Sequence, residues 1–216
     1  MIKQQVNGTV YGVILNDRAS LQKIGSLDEA PYKGAPKAPV LYIKPANTRA
    51  ACGATVHLPQ GAESVEVGAT IGLVLGRAAA RVNRDSALDA VCGVVLAGDL
   101  SLPHASYYRP AIREKCFDGA LPLSAVKPLA DLSALVLRTE IDGKLADERS
   151  LADLVRDPAQ LLADVSEFMT LNAGDVLLVG VRYMAPQAQA GSLVRISAEG
   201  LGSLAFSIGA AKGDQQ

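Results

Sequence analysis

The stretch from Ser64 to Gly76 restricts the possible folds more than any other part of the chain. It is apolar, small or β-branched over the length of a buried strand, and Gly76 ends it. The run from Val91 to Gly98 has the same character, and Asp99 follows it directly. We therefore predict two buried strands with Asp99 at the end of the second, where a carboxylate is either a site residue or the cap of the turn before Leu102.

The other elements predict an α+β chain. Further strands are predicted at 9–15, 40–43, 132–141, 176–180, 193–198 and 204–208, with Asp142-Gly143 as a hairpin turn. A helix is predicted to begin at Asp157-Pro158 and to bury Phe168 and Met169, and Asp85 is the predicted N-cap of a shorter one. We expect a strand and lid-like loop over 1–39, one domain over 40–210 and a frayed tail over 211–216.

Composition and charge exclude several classes of partner. The net charge is −1 and no basic block occurs, which argues against nucleic acid. The three cysteines form no C-x-x-C pair, as is typical of reduced cytosolic thiols. No run approaches the roughly 18 apolar residues of a membrane span. We expect a soluble cytoplasmic protein with neither nucleic acid nor membrane as a partner.

Polar residues gather in two places. The segment from Tyr107 to Gly119 is dense in polar and aromatic side chains, although the whole chain is only 4% aromatic. Arg109 can hold a carboxylate through two parallel hydrogen bonds, so this segment suits a small anion, but a basic solvated loop has the same composition. Lys44 and Asn47 follow the strand at 40–43 and either face a ligand or form a solvated turn.

Generic catalytic motifs do not narrow the function. The sequence has no G-x-G-x-x-G after a strand, no G-x-x-x-x-G-K-[ST] and no G-x-S-x-G. His57 and His104 each lack a second histidine at metal-ligand spacing, so we expect no zinc site.

A set of motifs in chain order resembles the fumarylacetoacetate hydrolase family. The motifs are Ile43-Lys44-Pro45, Gly68 to Gly76, Gly93 to Asp99, Tyr108-Arg109-Pro110 with Lys115-x-x-Asp118-Gly119, and Ser166 to Asp175. Within the family, the chain is similar to the N-terminal half of the two-part isomerase/decarboxylases of 4-hydroxyphenylacetate (homoprotocatechuate) breakdown. The resemblance implies mixed β-sheets that form a partly open barrel or roll with few helices.

The resemblance implies chemistry on small 2-oxo dicarboxylates and tricarboxylates. It suggests a subunit of 5-oxopent-3-ene-1,2,5-tricarboxylate decarboxylase and 2-hydroxyhepta-2,4-diene-1,7-dioate isomerase, which works as a homodimer or with a subunit like the C-terminal half. Both reactions develop negative charge on an oxygen, which a hard divalent ion stabilises. Two alternatives remain: a non-catalytic structural subunit that completes a dimer, and an independent hydrolase of the family that acts on a 2,4-dioxo acid.

The family resemblance also implies a site for Mg²⁺ or Mn²⁺, held by an acid-x-acid pair and an aspartate. Gly68 and Thr70 stand at the acid positions, so Asp99 is the one ligand that remains, and we expect the ion to bind weakly or not at all. Glu66 points to the same face of the strand but lies about 7 Å from position 68. The segment from Asn16 to Gln22 also lacks the His and Glu that catalytic members carry in a lid.

Roles for the other polar residues follow from the same resemblance. Lys115 and Asp99 are the expected catalytic residues, and the expected substrate-binding residues are Lys44, Asn47, Tyr108 and Arg109. A part-buried Asp99 without a metal is costly unless another cation pairs with it. We therefore predict that Lys115 is the ion-pair partner of Asp99.

Overall fold

The computed structural model describes residues 6–29, 34–104, 111–129 and 131–211. The strands are β1 (Val10–Ile14), β2 (Val40–Lys44), β3 (Arg49–Ala51), β4 (Thr55–His57), β5 (Ser64–Leu75), β6 (Val91–Ser101), β7 (Leu121–Leu123), β8 (Val136–Ile141), β9 (Lys144–Ser150), β10 (Val176–Leu178), β11 (Gln187–Gln189), β12 (Leu193–Ala198) and β13 (Gly202–Gly209). The α-helices are α1 (Arg18–Ile24), α2 (Arg84–Ala87), α3 (Ile112–Lys115) and α4 (Pro158–Ser166). Short 3₁₀ helices cover Ala46–Thr48, Leu88–Ala90 and Leu151–Asp153.

The strands form two mixed sheets. The larger has the order β2-β1-β10-β5-β6-β7-β3, with β11 also paired to β5, and it curves into a half-barrel. The smaller has the order β4-β13-β12-β8-β9. Because β1 pairs with both β2 and β10, the strand before residue 40 belongs to the larger sheet. The predicted partly open barrel with few helices is confirmed.

Strand β5 is buried on both of its faces. Its Ile71 and Leu73 pack in the main core with residues of the smaller sheet such as Phe206. Val74 packs on the opposite face in a second cluster that includes Val176. A strand that is covered on both sides reads as a continuous apolar run instead of alternating, which explains the composition of 64–76.

Strand β6 is longer than the sequence predicts. It continues to Ser101, and Asp99 lies opposite Gly68 in the antiparallel pairing of β5 with β6. The prediction that Asp99 lies at the end of the strand, or caps the turn that follows, is therefore wrong. Asp99 instead lies within the strand, two residues before its end.

Several local predictions are confirmed. Asp142 and Gly143 join β8 to β9, and both have the positive φ that tight hairpin turns favour. Asp157 caps α4 by accepting a hydrogen bond from the backbone N–H of Gln160 at 2.8 Å. Met169 packs against the main core, but Phe168 is 60% exposed because α4 ends at Ser166 and helical spacing no longer applies.

Two predictions near helix starts are wrong. The segment after β1, expected to be a loop, contains α1, and Asp17 caps it by accepting from the backbone N–H of Ser20 at 2.8 Å. Asp85 lies in the first turn of α2, and Asn83 precedes the helix. Residues 212–216 of the predicted frayed tail lie outside the described residues. Within the described part of the chain, every helix is too short or too polar to cross a membrane.

Candidate functional site

Asp99 is the centre of a buried cluster of charges. Its Oδ1 lies 2.9 Å from Lys44 Nζ, and its Oδ2 lies 3.2 Å from Lys115 Nζ. The Tyr42 hydroxyl donates a hydrogen bond to Oδ2. The side chain of Asp99 is fully buried and that of Lys115 is 6% exposed. The predicted pairing of Lys115 with Asp99 is therefore confirmed, and Lys44 is a second cationic partner that the sequence did not indicate.

Strand β2 supplies two of these side chains because residues two apart share one face of a strand. Tyr42 and Lys44 both point toward β6, while Ile43 between them is 51% exposed. Gly12 of β1 lies opposite Tyr42, and the Tyr42 ring occupies the space that a Cβ at position 12 would need. The tyrosine ring thus reaches across β1 because position 12 is glycine.

The ammonium group of Lys44 is buried, and all of its contacts are with groups inside the protein. Its Nζ also donates to the backbone oxygens of Leu100, at 3.1 Å, and Lys115, at 2.6 Å. With Asp99, these acceptors match the three N–H groups of an ammonium. Lys44 thus ties β2, β6 and α3 together, and its expected role in binding substrate stays a prediction.

The other expected binding residues lie apart from this cluster or outside the described residues. Asn47 is exposed, and its Nδ2 donates to the Cys116 backbone oxygen at 3.1 Å and to Asp118 Oδ1 at 2.7 Å. These bonds hold the segment that follows α3. Tyr108 and Arg109 lie outside the described residues.

The charges shift the pKa values of the cluster in opposite directions. Burial raises the pKa of Asp99, but Lys115, Lys44 and the Tyr42 hydroxyl together outweigh it and lower that pKa to about 2. Burial lowers the pKa of Lys44, and the Asp99 carboxylate opposes this effect. Asp99 is therefore ionised at neutral pH, and ammonium groups take the positions beside its oxygens.

The residues around Asp99 do not fit a divalent metal ion. A Cβ at Gly68 would lie 2.8 Å from the backbone oxygen of Asp99 and 2.9 Å from Val181 Cγ1. Thr70 is buried opposite Ala97 and offers one hydroxyl, not a carboxylate. Among the residues described, no three His, Cys, Asp or Glu side chains come together as metal ligands. Mg²⁺ and Mn²⁺ need several oxygen ligands, and both oxygens of Asp99 already contact ammonium groups.

A second buried ion pair lies near the same strands and was missed in the sequence. Arg149 Nε lies 3.3 Å from Asp17 Oδ2, and neither side chain is more than 1% exposed. Arg149 also donates to the backbone oxygens of Ala69, at 3.3 Å, and Gly180, at 2.8 Å. Arg149 stands in a charged stretch of β9 that resembles an exposed strand, so composition gave no signal for its burial. The pair fixes the start of α1 and the segment that places Val181 beside Gly68.

A family model described as fumarylacetoacetate (FAA) hydrolase, C-terminal, matches residues 9–208. The chain is 43% identical over 196 residues to the 4-hydroxyphenylacetate degradation bifunctional isomerase/decarboxylase of Escherichia coli. This alignment covers 90% of the chain and 46% of the relative, so the chain spans about half the length of the curated relatives it matches.

Solved structures share the fold. The 5-carboxymethyl-2-hydroxymuconate delta-isomerase of Mycobacterium smegmatis superposes with a TM-score of 0.83 at 26% identity, over 96% of this chain and 81% of that one. Fumarylpyruvate hydrolase of Pseudomonas aeruginosa, solved with Mn²⁺ and pyruvate, superposes with a TM-score of 0.79 at 18% identity, over 94% of this chain and 90% of that one. The second likeness supports the fold alone.

Proposed function

The chain belongs to the fumarylacetoacetate hydrolase family, and on that premise we propose that it is a cytoplasmic subunit of 5-oxopent-3-ene-1,2,5-tricarboxylate decarboxylase and 2-hydroxyhepta-2,4-diene-1,7-dioate isomerase in 4-hydroxyphenylacetate breakdown. The observation that carries the proposal is the alignment with the E. coli bifunctional isomerase/decarboxylase, which covers 90% of this chain and 46% of that enzyme. The chain thus spans about half the length of that enzyme.

The proposed substrates are small 2-oxo dicarboxylates and tricarboxylates. Decarboxylation and ketonisation both build negative charge on an oxygen, and a fixed cation stabilises that charge. We assign this role to Lys115, because its ammonium is the less buried of the two and Asp99 fixes its position. Lys44 contacts the other oxygen of Asp99. Tyr108 and Arg109 are assigned to substrate carboxylates, whereas Asn47, whose amide donors bind Cys116 and Asp118, is assigned to holding the segment after α3.

We propose that this centre binds a divalent ion weakly or not at all, because Gly68 and Thr70 supply no carboxylate and Val181 fills the space beside Gly68. Under this proposal, the metal-dependent chemistry of the complex belongs to a partner. That partner is a subunit that resembles the other half of the bifunctional relative, because a second copy of this chain has the same Gly68 and Thr70.

The experiment compares the purified chain, the partner half and their mixture, with Mg²⁺ or with a chelator. CO₂ release reports decarboxylation, and the change in ultraviolet absorbance of the dienol reports isomerisation. We expect turnover in the mixture that falls when Lys115→Met replaces the native chain. Lys144→Met, on an exposed position of β9, is the matched control and should leave turnover unchanged. Equal rates for the partner half with and without this chain reject the proposal.

A non-catalytic structural subunit is the second candidate. The observation that favours it is the closed packing of the Asp99 centre, where Asp99, Lys44 and Thr70 are at most 1% exposed. Under this reading, the mixture is more active than the partner half alone, but Lys115→Met restores as much activity as the native chain. An independent hydrolase for a 2,4-dioxo acid is disfavoured, since Gly68 and Thr70 lack the acids that such members use.

A further inference from the structure

Glu66 lies on the same face of the central strand pair as Asp99, and no step proposed so far uses it. The register of β5 and β6 places Glu66 opposite Ser101, and Gly68 opposite Asp99. Side chains two residues apart on a strand share a face, so the carboxylates of Glu66 and Asp99 project to the same side of the sheet. They are offset by two residues along the strands. The separation along the strands is about 7 Å at ~3.3 Å per residue.

The Glu66 carboxylate is unusual because it is half-buried without a partner. It makes no hydrogen bond or ion pair with any residue in the described ranges. Burial raises its pKa, and the neighbouring charges of His104 and Lys115 partly offset that rise. A half-buried carboxylate that is not neutralised by a contact, and that lies near a cation, has the properties of a general base.

His104 lies beside Glu66 in a defined orientation. Its Nδ1 lies 3.0 Å from the Leu102 backbone oxygen and 3.3 Å from Ser101 Oγ. A carbonyl oxygen can only accept, so Nδ1 carries a proton and donates to Leu102. The imidazole is thus held next to Ser101, the residue of β6 that pairs with Glu66.

A cavity of about 390 Å³ adjoins this end of the strand pair. Its lining includes Ser64, which is two residues before Glu66, and Leu102 and Pro103, which lead from Ser101 to His104. Arg113 and Glu114, next to Lys115 in α3, also line it. The cavity therefore lies next to the end of the strand pair that carries Glu66.

We propose that Glu66 is the general base that moves a carbon-bound proton of a 2-oxo acid, with the Lys115 ammonium facing the oxygen that becomes negative. The substrate class rests on the proposed function. Glu66 forms an O–H bond with the proton of the carbon next to the carbonyl. The C–H electron pair becomes the C=C bond, and the carbonyl π pair moves to oxygen. Return of the proton to the same carbon completes an exchange, and return to a carbon further along a conjugated chain gives the isomer.

Proton exchange in D₂O tests this role on the full chain. The probe is 2-oxoadipate with a chelator present, and NMR follows the loss of the protons on the carbon beside the carbonyl. Wild type should exchange them faster than buffer. Glu66→Gln should lower kcat for exchange about 100-fold and change KM less than about threefold, as expected for a proton-transfer group. Glu66→Asp should recover part of the rate.

The matched control is Glu199→Gln, in the exposed turn between β12 and β13, which should exchange like wild type. Exchange by Glu66→Gln at the wild-type rate, or exchange by wild type at the buffer rate, overturns the assignment. Turnover of the decarboxylase and isomerase substrates is measured on the same preparations. Exchange without turnover rejects the proposed function and retains this inference, whereas turnover without dependence on Glu66 rejects this inference alone.

Discussion

Lys44 Nζ lies 2.9 Å from Asp99 Oδ1 in a region where neither side chain is exposed to solvent. A buried ion pair costs desolvation energy and is sustained only when further hydrogen bonds satisfy both groups. The backbone oxygens of Leu100 and Lys115 supply those bonds to Lys44, and Lys115 and Tyr42 contact the other oxygen of Asp99. The charge cluster therefore depends on β2, β6 and α3 being assembled together.

Lys44→Met should destabilise the protein strongly. The change leaves a buried carboxylate with one cationic partner instead of two, and breaking a buried pair costs about 3–5 kcal/mol. We expect the free energy of unfolding to fall by about 3 kcal/mol, the lower end of that range, because Lys115 remains. Urea denaturation measures it. The exposed Lys144→Met should change it by less than about 0.5 kcal/mol, and equal losses for the two variants contradict the assigned role.

The low pKa of Asp99 predicts a loss of stability in acid. Its pKa is about 2 in the folded chain, below the ~3.9 of an unfolded aspartate, so the folded state binds this proton more weakly. The stabilisation, about 2–3 kcal/mol, is fully present above about pH 5 and is lost as the pH falls from about 4 to 2. Denaturation midpoints between pH 6 and 2 measure it.

Asp99→Asn should lack this part of the acid dependence, because no proton binds to the amide in that range. Asp89→Asn, at an exposed position, is the matched control and should keep the wild-type profile. The assignment is wrong if Asp99→Asn loses stability between pH 5 and 3 as steeply as wild type does.

Mn²⁺ should not stabilise this chain through Asp99. A site with a Kd of about 10 µM would raise the free energy of unfolding by roughly 2.7 kcal/mol at 1 mM Mn²⁺, because the ion would be at about 100 times Kd. We expect the melting temperature of wild type to shift no more than that of Asp99→Asn at the same Mn²⁺ concentration. A rise in wild type that Asp99→Asn abolishes would show that the ion displaces the ammonium groups.

The sequence was sufficient for the central strands and the hairpin, because their composition is determined locally. After Glu66, the run 64–76 has no charged residue and Thr70 is its one polar side chain, and Asp142-Gly143 meets the backbone requirement of a tight turn. The strand β6 was placed correctly, but its end was not. Asp99 interrupts the apolar run, and charge alone does not reveal that two lysines neutralise it inside the sheet.

The two ion pairs that the sequence did not reveal each join residues that lie far apart in the chain. Lys44 approaches Asp99 from β2, and Arg149 approaches Asp17 from β9, so each charge is buried by a partner far along the chain. The helix α1 was missed because its cap, Asp17, reads as part of a polar exit from β1. The pairing of Lys115 with Asp99 was predicted because a buried carboxylate without a cation is energetically costly, and this cost can be argued from the sequence alone.

Arg149→Met should loosen α1 as well as destabilise the fold. Arg149 holds Asp17, which caps α1, and the backbone oxygens of Ala69 and Gly180. Its removal leaves the Asp17 carboxylate buried without a cation, at a cost of about 3–5 kcal/mol in the free energy of unfolding. Hydrogen exchange should accelerate at the backbone amides of Leu21 and Gly25, which donate within and after α1.

Arg138→Met, on the adjacent strand β8, is the matched control because its pair with Glu148 is about half exposed and such pairs contribute roughly 0–1 kcal/mol. Adding Asp17→Asn to Arg149→Met should recover part of the stability, since the second change removes the uncompensated charge. Slow exchange of the α1 amides in Arg149→Met would show instead that packing, and not the ion pair, fixes this helix.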